Sequence, residues 1–259
     1  MILDRIVADK KEELKGVKAA LPLRELKAMT RDMSPARDFA AALIDPARVS
    51  IIAEVKKASP SRGVIRPDFD PVQIARVYEQ NGARAISVLT EKRYFMGELG
   101  YLKDVRGSVG LPLLRKDFIF DPYQVYESRV NGADAFLLIA SIMERETLAD
   151  LYMLGRELGL EALAEAHDEA DLEKALTAGF AVVGINNRDL ATFRVDINTT
   201  ARLLELIPGD RIVVSESGIS TEDDMRYLRK IGVDAALIGE AFMREGDFGD
   251  KLKALAEAA

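Results

Sequence analysis

The sequence predicts a closed (β/α)8 barrel, a TIM barrel of the α/β class, preceded by an N-terminal helical extension. Three observations carry that prediction. A glycine followed by a short apolar run recurs at Gly82 (GARAISVL), Gly132 (GADAFLLIA), Gly179 (GFAVVGIN) and Gly232 (GVDAALIG), at spacings of 50, 47 and 53 residues. A second series interleaves with it at Gly110 (GLPLLRK), Gly159 (GLEALAE) and Gly209 (GDRIVVSES), spaced 49 and 50. Each of these glycines ends a helical stretch, where a left-handed C-terminal cap is wanted. With Ile51–Lys56 counted first, the runs make eight strands, each followed by a helix. Alternating strands and helices imply a parallel sheet, and eight such units close at about 250 residues. An open doubly wound sheet is the alternative, but no GxGxxG turn follows the first strand.

Taken in order, Met1 to about Val49 reads as helical, with Ile2, Ile6, Leu14 and Val17 near helical spacing. Ser34-Pro35 predicts an N-cap and a first-turn proline for a helix over Ala36–Leu43. These helices either pack against the barrel and nothing more, or cover one end of it or its substrate. The barrel helices are predicted over Pro71–Asn81, Glu98–Arg106, Pro122–Asn131, Glu144–Leu158, Glu169–Ala178, Thr199–Ile207, Thr221–Ile231 and Phe248–Ala256. One domain is expected, with residues 1–48 as the extension and 49–259 as the barrel.

Composition narrows the function. Apolar residues make up 48% of 259, enough for a full core, and the net charge of −7 argues against nucleic acid as a partner. With no cysteine, disulfides, thiolate metal sites and thiol nucleophiles are excluded. The charged N-terminus lacks the apolar core of a signal peptide. No run approaches the roughly 18 apolar residues of a membrane span. A cytoplasmic protein without nucleic-acid or membrane partners is expected, as a monomer or weak homo-oligomer.

Barrel enzymes carry their active sites at the carboxyl ends of the strands. Here those ends gather charge: Glu54, Lys56, Lys57 and Ser59 after the first, Arg115-Lys116-Asp117 after the third, Glu165 on the fifth, Asn186-Asn187-Arg188 on the sixth, Ser215-Glu216-Ser217-Gly218 on the seventh and Gly239-Glu240 on the eighth. The Glu-x-Lys of the first strand would, alone, be explained by a surface ion pair. Packing does not explain charge at one end of six strands. Small residues around Ser217-Gly218 and Gly239-Glu240 let backbone N–H groups approach an anion, so a phosphate site is expected there. Ser59 and Arg188 are placed to add side-chain contacts. His167 is the single histidine, so a Ser-His-Asp triad and a histidine metal centre would both depend on it alone; it reads as a loop residue just past Glu165 without a catalytic role. What remains is acid–base chemistry by Lys and Glu on an anionic substrate. Glu54 on its own face should keep Lys56 charged, whereas the state of Lys116 depends on what faces it across the barrel. Ser61, Arg62 and Gly63 suggest a mobile loop after the first strand.

The motifs AEVKKASPSRG (Ala53–Gly63), SVLTEKRYFMG (Ser87–Gly97), LPLLRKDFIFDPYQV (Leu111–Val125), GADAFLLIA (Gly132–Ala140), GINNRDL (Gly184–Leu190), SESGI (Ser215–Ile219) and IGEAFM (Ile238–Met243) occur in order along nearly the whole chain. In these the sequence closely resembles the indole-3-glycerol phosphate synthase family of tryptophan biosynthesis. The resemblance implies a (β/α)8 barrel that needs no cofactor and no metal. It implies ring closure of 1-(2-carboxyphenylamino)-1-deoxyribulose 5-phosphate with loss of carbon dioxide and water. By the same resemblance Lys116 matches the principal general acid and Glu165 the second acid/base. Glu54 and Lys56 match a pair near the leaving hydroxyl and the anthranilate carboxylate, and Asn186 and Glu216 match orienting groups. Ser59, Arg188, Ser217, Gly218, Gly239 and Glu240 match the phosphate site, the last through its backbone. Phe95, Phe118 and Leu137 match the apolar wall around the anthranilate ring. The division of proton transfers between Lys116 and Lys56 stays open. The segment Leu-Ala-Glu-Ala-His (163–167) departs from the bulkier residues common around this glutamate, which bears on local packing. Two alternatives share the phosphate loops: another phosphate-binding barrel enzyme, such as phosphoribosylanthranilate isomerase, and a non-catalytic sugar-phosphate sensor. Neither needs Lys116 together with Glu165 and the Glu54–Lys56 pair.

Overall fold

The computed structural model describes residues 2–189 and 192–259. Leu190, the last residue of the GINNRDL motif, lies outside the described residues, as does Met1. Eight parallel strands close into a barrel: β1 (Ser50–Val55), β4 (Ala85–Leu89), β5 (Leu113–Lys116), β6 (Ala135–Ile139), β7 (Glu161–Ala166), β8 (Val182–Asn186), β9 (Ile212–Glu216) and β10 (Ala235–Ile238). β1 pairs with both β4 and β10, which closes the ring. Two further strands, β2 (Ala58–Ser59) and β3 (Gly63–Val64), form an antiparallel hairpin just after β1, which the sequence did not predict.

The helices between strands are α4 (Pro71–Gln80), α5 (Gly100–Arg106), α6 (Pro122–Val130), α7 (Arg145–Glu157), α8 (Glu169–Thr177), α9 (Asn198–Leu204) and α10 (Glu222–Ile231). After β10 come a short α11 (Glu240–Met243), also unpredicted, and α12 (Phe248–Ala258). Their starts follow local chemistry. Asp70 and Asp121 cap helices whose first residue is proline, and Thr221 with Asp224 makes a reciprocal capping box. Five of the predicted left-handed glycines take positive φ: Gly82, Gly132, Gly159, Gly179 and Gly232. Gly110 and Gly209 do not. The helices before them end at Arg106 and Leu204, so the chain reaches these glycines through a further turn, and no cap is required there.

The extension forms α1 (Ile2–Ala20), α2 (Leu23–Met29) and α3 (Phe39–Leu43). Ser34-Pro35 does not start a helix, which corrects the prediction. Residues 34–38 instead form no regular element and are tied to the barrel: the Ser34 carbonyl accepts from the Arg129 guanidinium, and Arg37 gives its backbone N–H to Asp134 and its side chain to the Leu111 carbonyl. The helix begins at Phe39, where the Asp38 carboxylate accepts from the Ala41 N–H.

Alternation along the strands fills the barrel in layers. The first residues of β4, β6, β8 and β10 are Ala85, Ala135, Val182 and Ala235, all small and all buried. They pack with Phe39 and Leu43 of α3, which plug the amino-terminal mouth. Above them lie Ile52, Leu114, Leu163 and Val214 on β1, β5, β7 and β9. Two residues further along the same four strands the inward positions are Glu54, Lys116, Glu165 and Glu216. Period-2 geometry therefore turns an apolar layer into a charged one within one pleat. No helix of the described residues is long and apolar enough to cross a membrane.

Candidate active site

The charged layer sits at the floor of a cavity of about 500 Å³ at the carboxyl-terminal mouth. Every residue expected in a catalytic, phosphate-binding or ring-wall role lines this one cavity, whereas Lys57, Arg115, Asn187 and Ser215 from the same strand ends do not. Glu54, Glu165 and Glu216 are each less than 5% exposed. Lys116 Nζ lies 2.8 Å from Glu165 Oε2 and 3.1 Å from Glu216 Oε2. Lys56 Nζ lies 2.5 Å from Glu54 Oε1. Asn186 Nδ2 donates to Glu165 Oε1 at 3.1 Å, and Asn186 Oδ1 accepts from the Arg188 N–H at 3.0 Å. Asn186 thus ties Glu165 to the start of the next loop.

The electrostatics settle the question that the sequence left to the opposite wall. Burial alone would lower the Lys116 ammonium, but Glu165, Glu216 and Glu54 outweigh it and raise its pKa. Two buried carboxylates share that one cation and respond differently. Burial raises Glu165, yet Lys116, His167 and Asn186 together hold it below the ordinary carboxylate range. Glu216 has only Lys116 to offset burial and the charges of Glu165 and Glu54, and it is pushed up to about 7. Its Oε1 is buried without a partner. The layer therefore offers a lysine held protonated at rest, a carboxylate held ionised and a carboxyl group raised towards neutrality.

Space for these carboxylates comes from glycine. A Cβ on Gly184 would run into Glu216 Oε1, and one on Gly239 would run into Glu54 Oε1. In the sequence alone Gly239 points to the phosphate site and Gly184 carries no signal of its own. The RKDF segment splits by pleat. Lys116 points inward, while Arg115 and Asp117 point outward into a buried network: Arg115 donates to Asp117, Thr90 and Ser128 and pairs with Glu127 at 2.8 Å. Lys10 of α1 reaches Asp117 at 3.1 Å, so the extension is anchored one residue from Lys116.

The apolar wall is built by Phe95 and Phe118, whose ring centroids are 6.2 Å apart, with Leu137 beneath. Glu91 presents Phe95: its carboxylate accepts the N–H groups of Arg93, Tyr94 and Phe95. Ser217 and Gly218, which also line the cavity, both take left-handed backbone, φ 69° and 80°, which is rare for serine. Arg188 stands here, 3.7 Å from Glu240. Glu240 also draws Arg62 at 3.2 Å and Arg244 at 3.5 Å. The loop after β1, expected to be mobile, is the β2–β3 hairpin, and Arg62 joins its tip to Glu240.

The family model for "Indole-3-glycerol phosphate synthase" matches residues 3–255. The chain belongs to the indole-3-glycerol phosphate synthase family. It is 49% identical over 255 residues to the indole-3-glycerol phosphate synthase of Alkaliphilus metalliredigens, with 98% of each chain covered. It is 52% identical over 259 residues to that of Dehalococcoides mccartyi, covering 98% of this chain and 100% of the relative. Among solved structures, 3-hexulose-6-phosphate synthase from Salmonella typhimurium superposes with a TM-score of 0.65 over 81% of this chain and 98% of that one, at 13% identity. That likeness shows the TIM barrel.

Several residues at this synthase-family site escaped the sequence reading. Ile2, Leu3 and Ile6 of α1 line the cavity, so the extension contributes to the mouth itself. Their helical spacing was visible, but not which surface it would meet. Arg62 was read only as part of a loop, and Arg244 and Lys10 carried no local signal, because their partners Glu240 and Asp117 are supplied by tertiary contact. His167 lies just past β7 as expected, yet its Nε2 is 3.3 Å from Glu165 Oε1.

Proposed function

We propose that the charged layer carries out the indole-3-glycerol phosphate synthase reaction, with the roles divided by charge state. The family's activity is this chain's: it is a carbon–carbon lyase of tryptophan biosynthesis acting on a phosphorylated small molecule. The substrate is 1-(2-carboxyphenylamino)-1-deoxyribulose 5-phosphate. The ring carbon bearing the carboxylate attacks the ribulose carbonyl, carbon dioxide leaves, and loss of water aromatises the new ring.

The observation that carries the assignment is Lys116 Nζ held between Glu165 and Glu216 in one buried layer. A developing alkoxide at the carbonyl is far more basic than a carboxylate, so the ammonium of Lys116 stabilises it and delivers its proton. Glu165, kept ionised, is suited to take the proton removed during dehydration. Lys56, paired with Glu54, faces the anthranilate carboxylate and the leaving hydroxyl. Glu216, able to hold a proton near pH 7, orients Lys116 and buffers the transfers. Arg188, Ser59 and the backbone of Ser217, Gly218, Gly239 and Glu240 hold the phosphate. Phe95, Phe118 and Leu137 flank the anthranilate ring. The helical extension and the barrel act as one domain, because α1 helps form the mouth.

One assay tests this reading. The carboxyphenylamino-deoxyribulose phosphate is added without metal, and indole fluorescence is followed. Product formation by the parent and its loss in Lys116→Ala is the expected result. No product from the parent would overturn it in favour of another sugar phosphate.

A further inference from the structure

His167 is an ionisable group beside the acid–base layer that the division of roles above leaves unused. It occupies the first position after β7, two residues beyond Glu165. Its ring is nearly buried. Nε2 lies 3.3 Å from Glu165 Oε1 and Nδ1 lies 3.5 Å from Asp171 Oδ2 on α8. The backbone N–H of His167 donates to the same Asp171 oxygen at 3.3 Å. Both ring nitrogens are shielded from water, and both are within ion-pair reach of a carboxylate without the alignment of a hydrogen bond. The contacts of Glu165 divide cleanly between its two oxygens. Oε1 faces Asn186 and His167, whereas Oε2 faces Lys116.

We propose that His167 is a positioning residue for Glu165: clamped to α8 by Asp171, its imidazolium pairs with Oε1 and so leaves Oε2 directed at Lys116 and the substrate. This rests on the catalytic reading of Glu165 given above. The physical case is that a carboxylate on a strand end can rotate about its last torsion, which is broad and two-fold. Asn186 alone supplies one neutral donor. A cation beside the same oxygen adds an ion-pair attraction that opposes the rotation. The groups that face His167 are Glu165 on its own strand, Asp171 on α8 and Glu216 on β9; Lys116 on β5 reaches it only through Glu165. All three direct neighbours are acidic. Burial would lower the imidazole, and these carboxylates outweigh it and raise it. The protonated ring is thus the form the site favours, and the layer is extended into a line of alternating charge: Asp171, His167, Glu165, Lys116, Glu216.

The chain has a single histidine, so its imidazole gives one unambiguous nitrogen signal after labelling with 15N-histidine. In the parent it is expected to titrate above an ordinary histidine, and in Glu165→Gln that midpoint is expected to fall by about one unit or more. For steady-state kinetics, His167→Leu should lower kcat by about 10- to 100-fold through misplacement of the carboxylate. KM should stay within about twofold, because no substrate contact is lost. The acid limb of kcat against pH should move to higher pH, since Glu165 loses a cationic neighbour. His167→Gln, which restores an N–H on the same side, should recover most of kcat. A histidine midpoint unmoved by Glu165→Gln would overturn the proposal, as would a parental pH profile in His167→Leu. Retained activity in Glu165→Gln would instead remove the catalytic reading of Glu165 on which the proposal stands.

Discussion

The two mouths of the barrel are built by the same rule and end in opposite chemistry. At the amino-terminal mouth the inward positions of alternate strands are Ala85, Ala135, Val182 and Ala235, closed by Phe39 and Leu43 of α3. At the carboxyl-terminal mouth they are Glu54, Lys116, Glu165 and Glu216, roofed by Ile2, Leu3 and Ile6 of α1. One extension supplies both covers. The lower cover fills space and excludes water. The upper cover leaves a cavity and encloses charge that would be costly to bury unpaired. Stability and chemistry are therefore separated along the barrel axis, which is what allows a charged layer to sit directly on an apolar one.

That separation can be broken at several points. Lys116→Ala should reduce kcat by at least about 100-fold, the loss of a positioned acid, while circular dichroism reports a folded barrel. A kcat near that of the parent would remove Lys116 from its role. Phe39→Ala at the other mouth should do the reverse. It is expected to cost about 3–5 kcal/mol in denaturant unfolding, with kcat per folded molecule unchanged. If kcat fell as far as stability did, the two mouths would not be independent.

Gly184→Ala sharpens the comparison, because the added methyl meets a carboxylate of the charged layer, that of Glu216, and not a plug residue. Overpacking of this kind costs about 1–3 kcal/mol, and kcat should fall as Glu216 is displaced. A smaller effect is expected from pH. Glu216 is raised from 4.5 to about 7, so its contribution to stability is complete below about 4.5 and is lost as pH rises through 7. Comparing unfolding of the parent and Glu216→Gln from pH 4 to 8 should show a steeper loss of stability with rising pH in the parent, the remaining slope in Glu216→Gln coming from His167, whose pKa is also raised. Asp117 is the opposite case on the outer face. Burial would raise it, but Lys10 and Arg115 lower it, so its contribution is complete above 3.8 and is lost only in acid. Last, Arg188→Ala should mainly raise KM for the phosphorylated substrate with kcat little changed, read from saturation curves.

Much of this was legible in the chain. The glycine rhythm located seven of the eight barrel strands, since a parallel βα repeat must return to the same layer at regular intervals, and the apolar run at Ile51–Lys56 supplied the first. The carboxyl-end residues of those strands located the cavity, because strand direction places them all at one mouth. Other features were not legible. Ser34-Pro35 has the local form of a helix start, but Arg129 and Asp134 tie that segment to the barrel outside any helix. Gly184 looked like an ordinary strand residue until Glu216 was seen across from it. His167 lay beside Glu165 in sequence, yet nothing local said that Asp171 would clamp it from α8.

The sequence by itself determined the alternation, and with it the sign of the charge at each strand end. Period-2 geometry is a property of the single strand and needs no partner to be read. Only the closed barrel decided the states of those charges. Whether Lys116 is an isolated cation or one shared by Glu165 and Glu216 depends on strands 49 and 100 residues away, brought within 2.8 and 3.1 Å by ring closure. Coulomb interaction in a buried layer depends on distance through space, and the linear chain does not contain that distance.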